Sequence, residues 1–161
     1  MQRSDFEIMA PAGSRETLAA ALQAGADSVY FGIGALNMRA HSAGGFTIDD
    51  LNEIAALCRE HGAKSYLTVN TVIYDGDLAA MREIVSAAKA AGVSAVIASD
   101  VAVMQCCREL GVEVHLSTQL NIANVEALRF YAQFADVVVL ALRADAASGG
   151  GHPRRDRSRG H

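Results

Sequence analysis

His115 and Ser117 lie two residues apart in the stretch VEVHLS, and their types are those of a base and a nucleophile. A catalytic serine needs a histidine within hydrogen-bonding reach, and that histidine needs a carboxylate to orient it. Side chains at positions i and i+2 of a strand share a face but stand about 7 Å apart, which is too far for direct proton transfer. We keep both as candidate catalytic residues, and we favour polar packing over a hydrolase dyad.

Five further polar residues follow predicted strands and are candidate substrate-binding residues: Asn37, Arg39, Asn70, Gln119 and Asn121. The amides after the third and fifth strands can hold a small carboxylate or phosphate, or they can tie neighbouring loops together. The residue types leave both alternatives open. Arg39 is the one cation of this set, so an anion-binding role and a loop salt bridge also remain open for it.

A loop and an aspartate also lie at the carboxyl ends of the predicted strands. The loop 34–46, GALNMRAHSAGGF, is long for a strand-to-helix connection and is typical of a functional lid, which would carry Asn37, Arg39 and His41. Asp100 precedes a predicted helix, and we favour a helix-capping role for its side chain over a catalytic one.

The three cysteines are Cys58, Cys106 and Cys107, and we predict no metal ligand among them. Adjacent residues on a helix point about 100° apart, so Cys106 and Cys107 do not face one metal easily. Cys58 falls in the apolar register of its helix. The sequence contains no CxxC or HExxH motif, and its cysteines form no disulfide framework, which fits a reducing cytoplasm.

One unit repeats along the chain and must position all of these residues. A helix ends at a glycine, two residues follow, and an apolar strand begins; the glycines are Gly25, Gly62, Gly92 and Gly111. Glycine adopts the positive φ of a helix C-cap without steric cost. Helical patterns over 14–24, 47–61, 77–91 and 125–134 alternate with strands, the first at 7–12 and the last within 134–141. This alternation predicts parallel strands with right-handed crossovers.

The strands distinguish two architectures. In VEVHLS and SYLTVN, apolar residues alternate with polar ones, so one strand face packs on helices and the other is polar near the carboxyl end. An open doubly wound sheet usually carries a glycine-rich phosphate loop after its first strand, and APAGS is not one. We therefore predict an α/β fold that is an incomplete (β/α)8 TIM-like barrel of about six parallel strands. A complete barrel needs eight strands and typically about 250 residues.

Composition separates an acidic body from a basic tail. The 161 residues are 51% hydrophobic and lack tryptophan, no apolar run is long enough to cross a membrane, and no secretory signal is evident. The last twenty residues carry a net charge of +3 and the rest −7. A basic tail can be a nucleic-acid-binding arm. However, no aromatic residue accompanies the arginines for base stacking, and we expect the tail to be disordered.

Four stretches in order carry a family resemblance: EIMAPAGSRETLAAALQAGADSVYFGI, LNMRAHSAGGFT, SYLTVNT and HLSTQLNIANVEAL. From about residue 7 to 141 the chain resembles the N-terminal, TIM-barrel half of the collagenase-like peptidase family U-32. The resemblance implies a peptidase. Some members of the family instead hydroxylate RNA bases or quinone precursors, with an iron–sulfur cluster held by cysteines further along the chain. A small anion, a peptide or RNA is then the implied partner, with no membrane.

The resemblance ends near Leu142. In the family the strand ending VVVLA continues with Arg-Glu-Leu and an amphipathic helix, whereas LRADAASGGG follows here. With one choice of codons, deleting a single base from the Leu142 codon restores Arg-Glu-Leu-Thr. We therefore expect a one-base insertion there, in the gene or its sequencing. The predicted organisation is a partial barrel over 1–141 and a disordered basic tail over 142–161 that is out of frame.

Three functional hypotheses remain. The first is a peptidase, which rests on the resemblance because no protease constellation is visible in the sequence. The second is an iron–sulfur protein of tRNA or rRNA base hydroxylation, which needs cysteines that this chain does not contain. The third describes the chain as written, an inactive fragment whose unpaired strand edges and exposed apolar faces favour self-association.

Overall fold

The computed structural model describes residue 2, residues 5–37 and residues 45–141 of the chain. The predicted tail over 142–161, including its expected disorder, lies outside the described residues. Five helices connect six strands in the described part, in the predicted alternating order. The strands are β1 (Met9–Pro11), β2 (Ser28–Gly32), β3 (Lys64–Val69), β4 (Ala95–Ala98), β5 (Val114–Leu116) and β6 (Val137–Val138). The helices are α1 (Arg15–Gln23), α2 (Leu51–Glu60), α3 (Leu78–Ala91), α4 (Val101–Leu110) and α5 (Val125–Tyr131).

The six strands form one sheet in which every neighbouring pair is parallel and the spatial order is the sequence order, β1-β2-β3-β4-β5-β6. A doubly wound sheet reverses direction at a switch point, whereas strands added in one direction curl towards a barrel. The structure therefore confirms the prediction of an incomplete, TIM-like barrel. Strands β1 and β6 are its two edges in the described chain.

The helices begin and end at capping residues that can be recognised in the sequence. Ser14 caps α1 and exchanges hydrogen bonds with Thr17 in a capping box. Thr47 and Asp50 form the predicted box before α2, where a short 3₁₀ turn precedes the helix. At the other ends, Gly92 and Gly111 adopt left-handed C-cap conformations after α3 and α4, with φ of 74° and 65°. These caps satisfy backbone groups that the helices leave unpaired at their ends.

The two faces of the sheet differ as predicted. Leu67, Val69, Val114 and Leu116 are buried in the core between the strands and the helices. The alternate residues face the barrel interior, where the Thr68 hydroxyl donates a hydrogen bond of 3.0 Å to the carbonyl of Phe31. Core packing therefore holds each strand in one register, since a slip of one residue would exchange the two faces.

The last strand is shorter than predicted. The pattern over 134–141 yields only Val137–Val138 as a strand, because β6 has a partner on one side alone. Within the described residues, no helix is long and apolar enough to cross a membrane.

Candidate functional site

An open cleft of about 940 Å³ lies at the carboxyl ends of β3, β4, β5 and β6. Barrel enzymes place their chemistry at this end of the strands. Asn70, Gln119 and Asn121, three of the predicted substrate-binding residues, line the same cleft. The remaining lining residues are uncharged, and they are Thr71, Val72, Ser99, Thr118, Leu120, Val139, Leu140 and Ala141. The described wall therefore combines amides and hydroxyls with apolar side chains.

Asp100 holds one wall of the cleft in place. One carboxylate oxygen accepts a hydrogen bond of 2.8 Å from the backbone N–H of Ala102 and caps α4, which confirms the predicted capping role. The other oxygen accepts a bond of 3.1 Å from the N–H of Ile73, in the loop that follows β3. A single side chain thus fixes the start of a helix and the loop beside it.

The opposite wall depends on an unusual backbone conformation. Asn121 has a φ of 51° and is the one non-glycine residue with positive φ in the described chain. Its side-chain N–H donates to the carbonyl of Gln119 at 3.2 Å and supports this turn. Gln119 is exposed and lines the cleft, and its side-chain amide makes no hydrogen bond within the described part of the chain. Non-glycine residues in this conformation concentrate at functional sites.

Thr71 adds a second unsatisfied group to the cleft wall. Its hydroxyl oxygen is buried and has no hydrogen-bond partner in the residues that the structure describes. A buried polar atom without a partner costs free energy.

Asn37 does not line the cleft. Its side chain is buried, and its N–H groups donate bonds of 3.0 Å to the carbonyls of Ile33 and Gly34. It therefore anchors the start of the loop after β2. The predicted binding residue Arg39, and His41 of the predicted lid, lie outside the described residues.

The structure does not join His115 to Ser117. The Nε2 atom of His115 lies 2.8 Å from a carboxylate oxygen of Glu113. Its ring stacks on Tyr66, with centroids 4.6 Å apart. The hydroxyl of Ser117 accepts a bond of 3.4 Å from the N–H of Gln119 and caps a 3₁₀ turn. Neither side chain lines the cleft, and their candidate catalytic roles stay predictions.

The contacts of His115 belong to a polar network on the inner face, nearer the amino ends of the strands. The Tyr66 hydroxyl donates a bond of 2.6 Å to Glu7, which also pairs with Lys64 at 3.1 Å. Burial and then the Glu7 contact raise the pKa of Tyr66 above its ordinary value. Burial alone would raise the pKa of Glu7, but hydrogen bonds from Tyr66 and Lys64 outweigh it and hold the pKa below 4.5.

Sequence patterns pointed to the strand ends but missed two parts of this arrangement. Ser99 and Thr118 line the cleft beside the predicted amides. The Glu7–Tyr66 pair joins residues 59 positions apart, and periodicity along one strand carries no information about such a partner. The sequence did carry one signal for this pair, because the alternation in SYLTVN places Tyr66 on the polar face of β3.

The described residues do not fit an iron–sulfur cluster. Cys58, Cys106 and Cys107 are all free and buried, and no group of three potential ligands comes together in the described chain. Burial raises the pKa of Cys58 to about 11 and that of Cys107 to about 12, which favours the thiol over the thiolate that a cluster requires.

Comparison with known proteins agrees with the geometry. The model of peptidase family U32 matches residues 13–144. A collagenase of Porphyromonas gingivalis (strain ATCC BAA-308 / W83) is 68% identical over 141 residues, covering 88% of this chain and 34% of its own length. The tRNA hydroxylation protein P1 of Bacillus subtilis (strain 168) is 34% identical over 143 residues, covering 87% of this chain and 34% of that protein.

The chain thus spans about a third of the length of these two relatives. Among solved structures, the U32 peptidase Mk0906 superposes with a TM-score of 0.64 at 14% identity, over 83% of this chain and 57% of that one. That likeness supports the barrel fold. The family model and the sequence identities together show that this chain belongs to peptidase family U32.

Proposed function

We propose that the chain supplies six strands and five connecting helices of a collagenase-like peptidase barrel, and that the cleft at the strand ends binds a peptide segment of the substrate. The observation that carries the proposal is the cleft lining, in which the unpaired amide of Gln119 lies among hydroxyls and apolar residues. A side-chain amide offers an NH₂ donor group and a carbonyl acceptor, which complement the carbonyl and N–H of a peptide unit.

A second candidate function is a role in hydroxylating RNA bases, favoured by the 34% identity to a tRNA hydroxylation protein. In that case the cleft would receive nucleotides, and arginine or lysine would be expected near their phosphates. The lining described here holds amides and apolar groups, so a peptide fits it better. The buried cysteines also provide no cluster, which that candidate would take from another part of a longer protein.

Peptide cleavage is not proposed for the 161-residue chain alone. His115 is engaged by Glu113 and stacks on Tyr66, away from the cleft lining. Exposed apolar residues at both sheet edges, among them Ile8 and Val137, support the expectation that the chain self-associates. The proposal includes a cytoplasmic location, which three free, buried cysteines support.

Fluorescence anisotropy of a labelled gelatin-derived peptide tests the proposal. Gln119→Ala removes the unpaired amide, and loss of one or two hydrogen bonds should weaken binding about fivefold. Gln105→Ala is the matched control, because Gln105 is exposed on α4 and does not line the cleft. Binding of a single-stranded RNA oligonucleotide in preference to the peptide, with the same sensitivity to Gln119→Ala, would overturn the proposal and favour the second candidate.

A further inference from the structure

Two exposed apolar side chains stand at opposite ends of the cleft. Val72 follows β3 and is 66% exposed, and Leu140 follows β6 and is 51% exposed. Both line the cleft that also contains Gln119. Strands β4 and β5 lie between them in the sheet. Gln119 and Asn121 follow β5 and lie between the two apolar side chains, whereas Asn70 follows β3 and lies at the Val72 end.

The loop that carries Val72 is fixed in place by several contacts. The N–H of Ile73 is held by Asp100, and the N–H of Tyr74 donates a bond of 3.1 Å to Asp77. Asp100 is itself tied to the first turn of α4 through Ala102. The backbone on the C-terminal side of Val72 is therefore anchored at consecutive residues, and the valine side chain is presented to solvent beside the amide groups.

We propose that Val72 forms an apolar subsite that selects peptides with an uncharged, apolar side chain at one position. This inference rests on the proposed peptide-binding function of the cleft. Main-chain groups of the peptide bind the amides in the middle of the cleft, and one apolar side chain of the peptide packs against Val72. The described lining is uncharged, so it offers no ionic partner to an acidic or basic side chain at that position.

The test compares three capped, fluorescein-labelled peptides with the 161-residue chain. The first is oligoglycine, the second replaces a central glycine with leucine, and the third replaces it with aspartate. Burying one aliphatic side chain contributes about 1.5 kcal/mol or more, so the leucine peptide should bind about tenfold more tightly than oligoglycine. The aspartate peptide should bind no more tightly than oligoglycine.

Val72→Ser should remove the preference for the leucine peptide over oligoglycine. Val125→Ser is the matched control, because Val125 is 55% exposed but does not line the cleft. Circular dichroism checks that both variants remain folded. Equal binding of all three peptides to the unmodified chain, or a leucine preference that survives Val72→Ser, would overturn the subsite while the peptide-binding function stands. Failure of every peptide to bind would instead overturn the proposed function itself, and the subsite with it.

Discussion

The side chain of Asn37 occupies the space above Gly32 that any other residue at position 32 would need. A Cβ atom built on Gly32 would overlap the side-chain amide of Asn37. Gly32 is the last residue of β2, and Asn37 is buried where the following loop begins. The missing side chain of one residue thus makes room for the amide of the other, which holds the carbonyls of Ile33 and Gly34.

Gly32→Ala should therefore destabilise the protein. The added methyl group overlaps a buried side chain, and overpacking of this kind typically costs about 1–3 kcal/mol. Urea unfolding followed by circular dichroism measures the loss. Adding Asn37→Ala to the Gly32→Ala variant should recover part of it, because the clashing amide is gone, and a double-mutant cycle would then show coupling between the two sites.

Gly13→Ala is the control for that experiment. Nothing lies within 4 Å of the Cβ position at Gly13, which also follows a strand at the carboxyl end of the sheet. Its unfolding free energy should stay within about 0.5 kcal/mol of the unmodified protein. Equal losses from Gly13→Ala and Gly32→Ala would contradict the packing explanation.

Tyr66→Phe should weaken the inner polar network. The change removes the 2.6 Å hydrogen bond to Glu7, and since that carboxylate is partly exposed the cost should be near 1 kcal/mol at neutral pH. The pKa of Glu7 is lowered on folding, so its stabilising contribution is present above its ordinary value of 4.5 and is lost as the pH falls through the lowered value. The difference between variant and unmodified protein should shrink accordingly as the pH falls below 4.5.

Urea midpoints at pH 7 and at acidic pH measure this difference. Tyr131→Phe provides the control, because Tyr131 packs its ring against Phe130 and has no hydroxyl hydrogen bond among the described residues. A Tyr66→Phe penalty that stays constant with pH would show that lost packing, rather than the bond to Glu7, causes it.

Much of the barrel could be predicted from the sequence because it depends on local patterns. Alternation in VEVHLS places Val114 in the core and His115 on the inner face, and glycines such as Gly92 mark helix ends through their positive φ. The apolar strand pattern extends over 134–141, yet only Val137–Val138 forms a strand. Strand formation depends on hydrogen bonds to a neighbouring strand as well as on the sequence pattern.

The site was predicted less completely, for a physical reason. The carboxyl ends of parallel strands meet at one end of a barrel, so Asn70 and Gln119 were expected to converge, and they line one cleft. The partner of a particular side chain depends on distances across the fold. Thus the i, i+2 spacing places Glu113 and His115 on one strand face but does not indicate that they form a hydrogen bond. Residue type likewise does not indicate that Asn37 is buried beside Gly32.

The cysteines should be unreactive in the folded protein. Burial raises the pKa of Cys58 to about 11 from 9.0, which leaves about a hundredfold less thiolate at pH 8. Iodoacetamide labelling followed by mass spectrometry should modify none of the three cysteines until urea unfolds the chain. Ser86→Cys, which places a thiol at an exposed position of α3, should be labelled promptly under the same native conditions. Labelling of Cys58 at the rate of that exposed thiol would show that its helix opens locally.

Asp100→Ala should affect both stability and binding, because Asp100 caps α4 and also holds the loop beside Val72. Loss of a helix cap costs about 1 kcal/mol. Asn124 caps α5, because its side-chain oxygen accepts a 2.9 Å hydrogen bond from the N–H of Ala127. Asn124→Ala removes this cap and leaves the loop that carries Val72 unchanged. Urea unfolding should therefore show a loss for both variants, and a larger one for Asp100→Ala because that change also removes the bond to Ile73. Anisotropy titrations with the leucine peptide should show weaker binding only for Asp100→Ala, since the released loop no longer holds Val72 in place. Equal weakening in both variants would mean that binding follows overall stability and not the anchoring of this loop.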